Sequence, residues 1–212
     1  TIARGNKNFN YMLGASACAQ AIKIQHAIEL LETQTLFSFN KYLKELFEQA
    51  AKKQSKGVVK LVSNPQFNFV FEQSNELLFK EKEHPKIVEI NRIVSDEIKE
   101  NKKSKIIVFT QFRESASVIS KKLNGIEGIN AKVFIGQAKK KGEGLSQKEQ
   151  KKIIEEFSEG KINVLCATCI AEEGLDIPEV NAVIFYESIP SAIRAIQRAG
   201  RTARLMKGKL IM

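Results

Sequence analysis

Two folding patterns meet near His84. The sequence predicts an all-helical domain over residues 1–83 and, over residues 84–212, an α/β domain built on a mainly parallel sheet. Three observations carry this. The first half shows only helical periods. In the second half, five short apolar runs alternate with helical patterns. Polar residues of chemical interest fall just after those runs, at the carboxyl ends of strands, where parallel sheets bind ligands.

In the first half, Ala21, Ile24, Ala27, Ile28 and Leu31 recur at three- and four-residue steps, and so do Phe39, Leu43, Leu46, Phe47 and Ala50. Such spacing lines one face of a helix. The polar stretch from Lys52 to Gly57 reads as a loop. Ser63-Asn64-Pro65 reads as a helix start, with a capping side chain ahead of proline in the first turn. Phe67, Val70, Phe71, Leu77 and Leu78 continue that helix. The aromatic residues read as core, and no cluster of catalytic side chains is visible here.

From His84 the pattern changes. Pro85 starts a helix whose apolar face is Ile87, Ile90, Ile93, Val94 and Ile98. The apolar runs are Ile106–Phe109, Ala131–Ile135, Ile162–Ala167, Ala182–Tyr186 and Lys209–Met212. The helices between them are expected over Arg113–Leu123, Ser146–Glu159 and Ser191–Arg198. Buried strands separated by helices mean a sheet covered on both faces.

Composition narrows the function. The 212 residues carry 34 Lys and Arg against 24 Asp and Glu, a formal charge of +10. That excess points to a polyanionic partner, nucleic acid before membrane. No apolar run approaches the roughly 20 residues needed to span a bilayer, and no secretory signal is visible. The three cysteines, Cys18, Cys166 and Cys169, are too few and uneven for a disulfide framework. A reducing cytoplasm fits them. Cys166 to Cys169 is formally C-x-x-C, but no second such pair exists, and His26 and His84 are too distant for a zinc site. Cys166 reads instead as a strand residue in a core. No metal is expected on this chain. The start at Thr1 rather than Met reads as a piece of a longer protein.

Four segments carry the chemistry. Val108-Phe109-Thr110-Gln111-Phe112-Arg113 runs from a strand into a helix and gathers hydroxyl, amide and guanidinium groups at a helix N-terminus, an arrangement suited to phosphate. Thr168 to Pro178 follows another strand. There, Gly174 allows a tight turn, Asp176 can accept from a ribose hydroxyl, and Thr168 can donate to a phosphate. Gln197-Arg198-Ala199-Gly200-Arg201-Thr202-Ala203-Arg204 puts Gln197, Arg201 and Arg204 on one helical stripe. Guanidinium groups there offer permanent charge and paired donors to phosphate. A fourth segment, Gly136-Gln137-Ala138-Lys139-Lys140-Lys141-Gly142, is a basic loop suited to tracking a nucleic-acid backbone.

In order and spacing these segments resemble motifs IV, V and VI of superfamily 2 helicases. Gly144 to Gln150, Glu172 to Asp176, Pro190 to Arg194 and Gln197-Arg198 narrow the resemblance to the archaeal Hef helicase and the Fanconi anaemia M translocases. Glu83-His84-Pro85-Lys86 resembles the junction where that family's helical insert returns to the helicase core. The resemblance is specific from about His84 to Gly208 and looser before it.

The resemblance implies an RecA-like helicase C-terminal domain, incomplete at its end, after an all-α, thumb-like insert. It implies an ATP-dependent motor on forked or branched DNA, in an archaeal cytoplasm. Arg201 and Arg204 would be the catalytic residues, stabilising charge on the γ-phosphate as arginine fingers do. Gln197, Gly174 and Asp176 would bind nucleotide. Thr110, Gln111, Arg113, Gln137, Lys139, Lys140 and Thr168 would hold nucleic acid. The cofactors implied are ATP and Mg²⁺, bound mainly by a first RecA-like domain, the chain's partner in the same protein. The family usually reads Gln-Arg-Arg-Gly-Arg-Thr-Gly-Arg, whereas Ala199 and Ala203 stand here for an arginine and a glycine.

The sequence contains no G-x-x-x-x-G-K-[ST] loop and no Asp-Glu-x-His box. The 212 residues alone are therefore expected not to hydrolyse ATP. Two alternatives stay open: a duplex-RNA helicase of the Dicer or innate-immune type, and a non-catalytic nucleic-acid-binding module.

Overall fold

The computed structural model describes residues 9–136, 144–168, 177–188 and 208–212. It divides into two compact units, Thr1–His84 and Pro85–Met212.

Among the described residues, the first unit holds four helices: α1 (Phe9–Thr33), α2 (Leu36–Ala51), α3 (Lys56–Val62) and α4 (Pro65–Phe79). Helix α2 is the hub and packs on the other three. Its inward stripe of Phe39, Leu43 and Leu46 follows helical spacing. Thr35 caps it, accepting the Ser38 N–H at 3.0 Å. Asn64 caps α4, accepting from the Gln66 N–H at 2.8 Å, with Pro65 in the first turn as the sequence indicates. Phe47 ties the two helices, its ring centroid 4.6 Å from Phe71 and 5.9 Å from Phe67.

Two features of this unit differ from the sequence reading. The stretch read as a loop to Gly57 ends earlier, because α3 begins at Lys56 and buries Val58 and Leu61. A seven-residue helix with one inward pair is too short to show a period. Helix α1 begins at Phe9, within the stretch read as helical. Its early apolar residues Tyr11, Met12 and Leu13 are exposed, so they show no inward stripe. The aromatic residues are not all core either: Phe39 is buried, while Phe37, Phe69 and Phe79 are exposed.

The second unit is the expected α/β fold. Its elements are α5 (Pro85–Glu100), β1 (Ile106–Phe109), α6 (Arg113–Leu123), β2 (Ala131–Phe134), α7 (Gln147–Ser158), β3 (Val164–Ala167), β4 (Ala182–Phe185) and β5 (Lys209–Ile211). The five strands form one parallel sheet in the order β2-β3-β1-β4-β5. Strand side chains alternate between two faces. Ile106, Val108, Val164, Cys166, Ala182 and Ile184 pack against Ile87, Ile90, Val94, Ile119 and Leu123 of α5 and α6. Ile107, Phe109, Leu165, Ala167, Val183 and Phe185 pack against Ile153 and Phe157 of α7. Strands covered on both faces read as unbroken apolar runs.

Helix α7 starts with a reciprocal capping box. The Glu149 N–H donates to Ser146 Oγ at 3.3 Å, and the Ser146 N–H donates to Glu149 Oε2 at 2.7 Å. The edge strand β5 is fastened to α5 by Lys209, whose Nζ lies 2.8 Å from both Glu97 Oε2 and Glu100 Oε2. The helix expected over residues 191–198 lies outside the described residues. Among the described residues, no helix is long and apolar enough to cross a membrane.

Candidate nucleotide and nucleic-acid site

Strand register brings the polar loops to one end of the sheet. Phe109 pairs with Ala167 on one side and with Phe185 on the other, and Ala167 pairs with Phe134. The residues that follow, Thr110, Thr168 and Tyr186, therefore stand level. The ladder runs one step past the strands into these loops. Thr110 N–H donates to Ala167 O at 2.9 Å, Thr168 N–H to Phe134 O at 3.1 Å, and Tyr186 N–H to Phe109 O at 2.9 Å.

The loop from β1 to α6 is held by a residue that the sequence reading did not single out. Glu187 Oε1 accepts from Thr110 Oγ1 at 3.3 Å and from the backbone N–H of Gln111. Thr110 is fully buried, and its hydroxyl faces a carboxylate inside the chain. The Gln111 side chain is exposed and Arg113 is half-buried. Arg113 lines a shallow groove with Ser117, Asn124, Lys132 and Leu145. Glu187 leaves one signal in the sequence: it is the first charged residue after the apolar run Ala182–Tyr186.

Thr168 is buried at the end of β3. Cys166, two residues before it, is buried in the sheet core, and burial pushes its thiol up from the ordinary range. Gln137, Lys139, Lys140, Gly174, Asp176, Gln197, Arg201 and Arg204 lie outside the described residues. The structure thus brings together Thr110, Gln111, Arg113 and Thr168 of the expected residues and adds Glu187. Among the described residues, no group of three or more His, Cys, Asp or Glu side chains can hold a metal ion.

Comparison with known proteins matches both units to helicase families. Residues 86–206 match the helicase conserved C-terminal domain. Residues 1–83 match the family described as "Putative ATP-dependent RNA helicase, helical bundle". A "Putative ATP-dependent RNA helicase" of Methanocaldococcus jannaschii is 42% identical over 91% of this chain and 24% of its own length. The ATP-dependent DNA helicase mph1 of Sclerotinia sclerotiorum is 35% identical over 88% of this chain and 16% of its own length. The chain therefore spans a quarter or less of these curated relatives. The crystal structure of the Pyrococcus furiosus Hef helicase domain superposes with a TM-score of 0.77 at 42% identity, covering 99% of this chain and 42% of that one. With its parallel sheet, its helical bundle and these matches, the chain belongs to the superfamily 2 helicases, in the family of archaeal Hef and the Fanconi anaemia M proteins.

Proposed function

We propose that these residues are the helical insert and second motor domain of an ATP-dependent DNA translocase acting on forked or branched DNA. In this reading residues 1–83 are the thumb-like insert and residues 84–212 the RecA-like domain. One observation supports it: three adjacent parallel strands end level, and their loops lead into segments that bear phosphate-seeking side chains. Gln111 and Arg113 follow β1, Thr168 follows β3 and leads to Gly174 and Asp176, and β4 leads to Gln197, Arg201 and Arg204.

The division of labour follows from chemistry. Guanidinium groups at Arg201 and Arg204 would stabilise the charge that builds on a γ-phosphate during transfer. Asp176 would accept from the ribose, with Gly174 letting the backbone turn beside it, and Gln197 would link nucleotide state to domain alignment. Thr168, Gln111, Arg113, Gln137, Lys139 and Lys140 would follow the nucleic-acid backbone, giving salt-sensitive binding with little sequence preference. Thr110 would support its loop from within. ATP and Mg²⁺ fit this donor set only in part, since guanidinium and amide groups can meet phosphates but a lysine loop and a metal-holding carboxylate must come from a first RecA-like domain.

DNA is preferred because the fungal relative is named a DNA helicase and the superposed structure is that of Hef. An RNA duplex is the second reading, favoured by the name of the archaeal relative. The test is ATP hydrolysis by the full-length protein, with forked DNA or matched duplex RNA, for wild type and Arg204→Ala. Forked DNA should stimulate hydrolysis, and loss of the finger should lower kcat by about 10³-fold. Stimulation by RNA alone would transfer the function to the second reading. Hydrolysis that is absent, or indifferent to Arg204, would leave a non-catalytic binding module.

A further inference from the structure

We infer that Glu187 is the positioning residue of the nucleic-acid loop between β1 and α6, acting as a fixed hydrogen-bond acceptor for Thr110 and Gln111. The inference rests on the nucleic-acid role proposed for Gln111 and Arg113.

Glu187 hangs from an anchored backbone. Its neighbour Tyr186 is buried and donates its N–H to Phe109 O at 2.9 Å. The Tyr186 carbonyl accepts from Lys86 Nζ at 3.2 Å, and the same ammonium lies 5.2 Å from the centre of the Tyr186 ring. From that base the Glu187 carboxylate reaches the Thr110 hydroxyl and the Gln111 N–H, 77 and 76 residues earlier in the chain. Helix α6 has no side-chain cap of its own, because Phe112 occupies the capping position. The carboxylate thus braces the approach to α6 at Thr110 and Gln111, and the Thr110 hydroxyl also lies 3.5 Å from the Phe112 carbonyl.

The arrangement also decides how the loop can bind phosphate. The Gln111 N–H is occupied by a carboxylate, so that backbone donor is not offered to an incoming anion. Contacts must come from the side chains of Gln111 and Arg113. Their aim depends on how rigidly Glu187 holds the turn. A misplaced donor weakens a contact that is geometric as well as electrostatic.

The test compares wild type, Glu187→Ala and Glu187→Gln in the full-length protein, with two readouts. The first is hydrogen exchange at the Gln111 amide; the second is the concentration of forked DNA giving half-maximal ATPase stimulation, alongside kcat at saturation. Glu187→Ala should speed exchange at Gln111 about tenfold and raise half-saturation about tenfold, with kcat changed less than about twofold. Glu187→Gln keeps an oxygen acceptor and should recover most of both losses. Thr110→Val keeps side-chain volume, removes one donor, and should raise half-saturation by about fivefold.

A Gln variant as damaged as Ala would overturn the inference, because the carboxylate would then act by charge. A fall in kcat with half-saturation unchanged would overturn it too. Exchange at Gln111 is readable without any motor activity. Faster exchange in Glu187→Ala, in a protein that DNA does not stimulate, supports the positioning and sinks the proposed function. DNA stimulation with unchanged exchange does the reverse.

Discussion

The helical unit and the sheet unit bury their residues by different rules. In the sheet unit, every residue of β1, β3 and β4 is buried, and helices on both faces complete the two cores. In the helical unit, burial is concentrated on α2 and its immediate contacts, while α4 buries only Ser74. Phe69 and Phe79 on α4 are 61% and 90% exposed. A parallel sheet must be covered on both sides, because each strand presents two apolar faces. A small bundle can be held by one central helix and leave the outer faces of its neighbours apolar. The consequence is local: chemistry in the sheet unit is placed by a rigid frame, whereas the bundle is stabilised element by element.

The largest expected contrast is in thiol reactivity. Cys18 is exposed on α1, and Cys166 is fully buried on β3 with its thiol pushed up by burial. Alkylation of Cys166 requires opening of the sheet unit, so it should be slower than that of Cys18 by about 10³-fold or more. Residue-resolved mass spectrometry measures both rates, and similar rates would break the contrast. The sign of the pH effect follows. A thiol raised in the folded state contributes stability that is complete below the ordinary thiol value of about 8.5 and is lost as pH rises above it.

Next come the cores themselves. Phe157 on α7 and Leu46 on α2 are both fully buried. Phe157→Ala should cost about 3–5 kcal/mol and Leu46→Ala about 2–5 kcal/mol, from lost burial plus the cavity left behind. Each loss should speed amide exchange in its own unit and leave the other unit's protection in place. Exchange that accelerates throughout both units for either variant would show that the two cores unfold as one.

The same contrast explains what was legible in the sequence. Runs such as Ile106–Phe109 and Ala182–Tyr186 stand out because every residue of these inner strands is buried, whereas the edge strand β2 carries the exposed Lys132. Helices α6 and α7 were legible as helical patterns between the apolar runs, while the capping box that starts α7 is seen only in the structure. Helix α3 was hidden by its length. In the candidate site, Gln111 and Arg113 were readable from the pattern of a strand entering a helix. The burial of Thr110 was not, because a threonine at a strand end reads the same whether its hydroxyl faces solvent or a carboxylate. Nor was Glu187, whose partners are brought to it only by the pairing of β4 with β1.

The smallest effect sharpens the comparison most finely, since it tests whether helix ends matter differently in the two units. Helix α4 has little buried surface to hold it. Its start depends on the Asn64 cap and Pro65, and its later part on Asn40, whose Nδ2 donates to Ser74 Oγ and Asn75 Oδ1 at 2.8 Å each. Helix α7 also has a capped start, but Ile153 and Phe157 fasten it to the sheet. Asn64→Ala and Ser146→Ala should each cost about 1 kcal/mol. The distribution of the loss should differ. Without its cap, α4 should fray, so amide exchange should rise through its first turns ahead of any global change. In α7 the packed side chains should keep the helix formed, and the loss should appear only as lower stability of the sheet unit. Asn64→Asp, which restores an acceptor, should return α4 to its original protection. Fraying of α7 to the same extent would mean that the cap, and not the packing against the sheet, holds that helix.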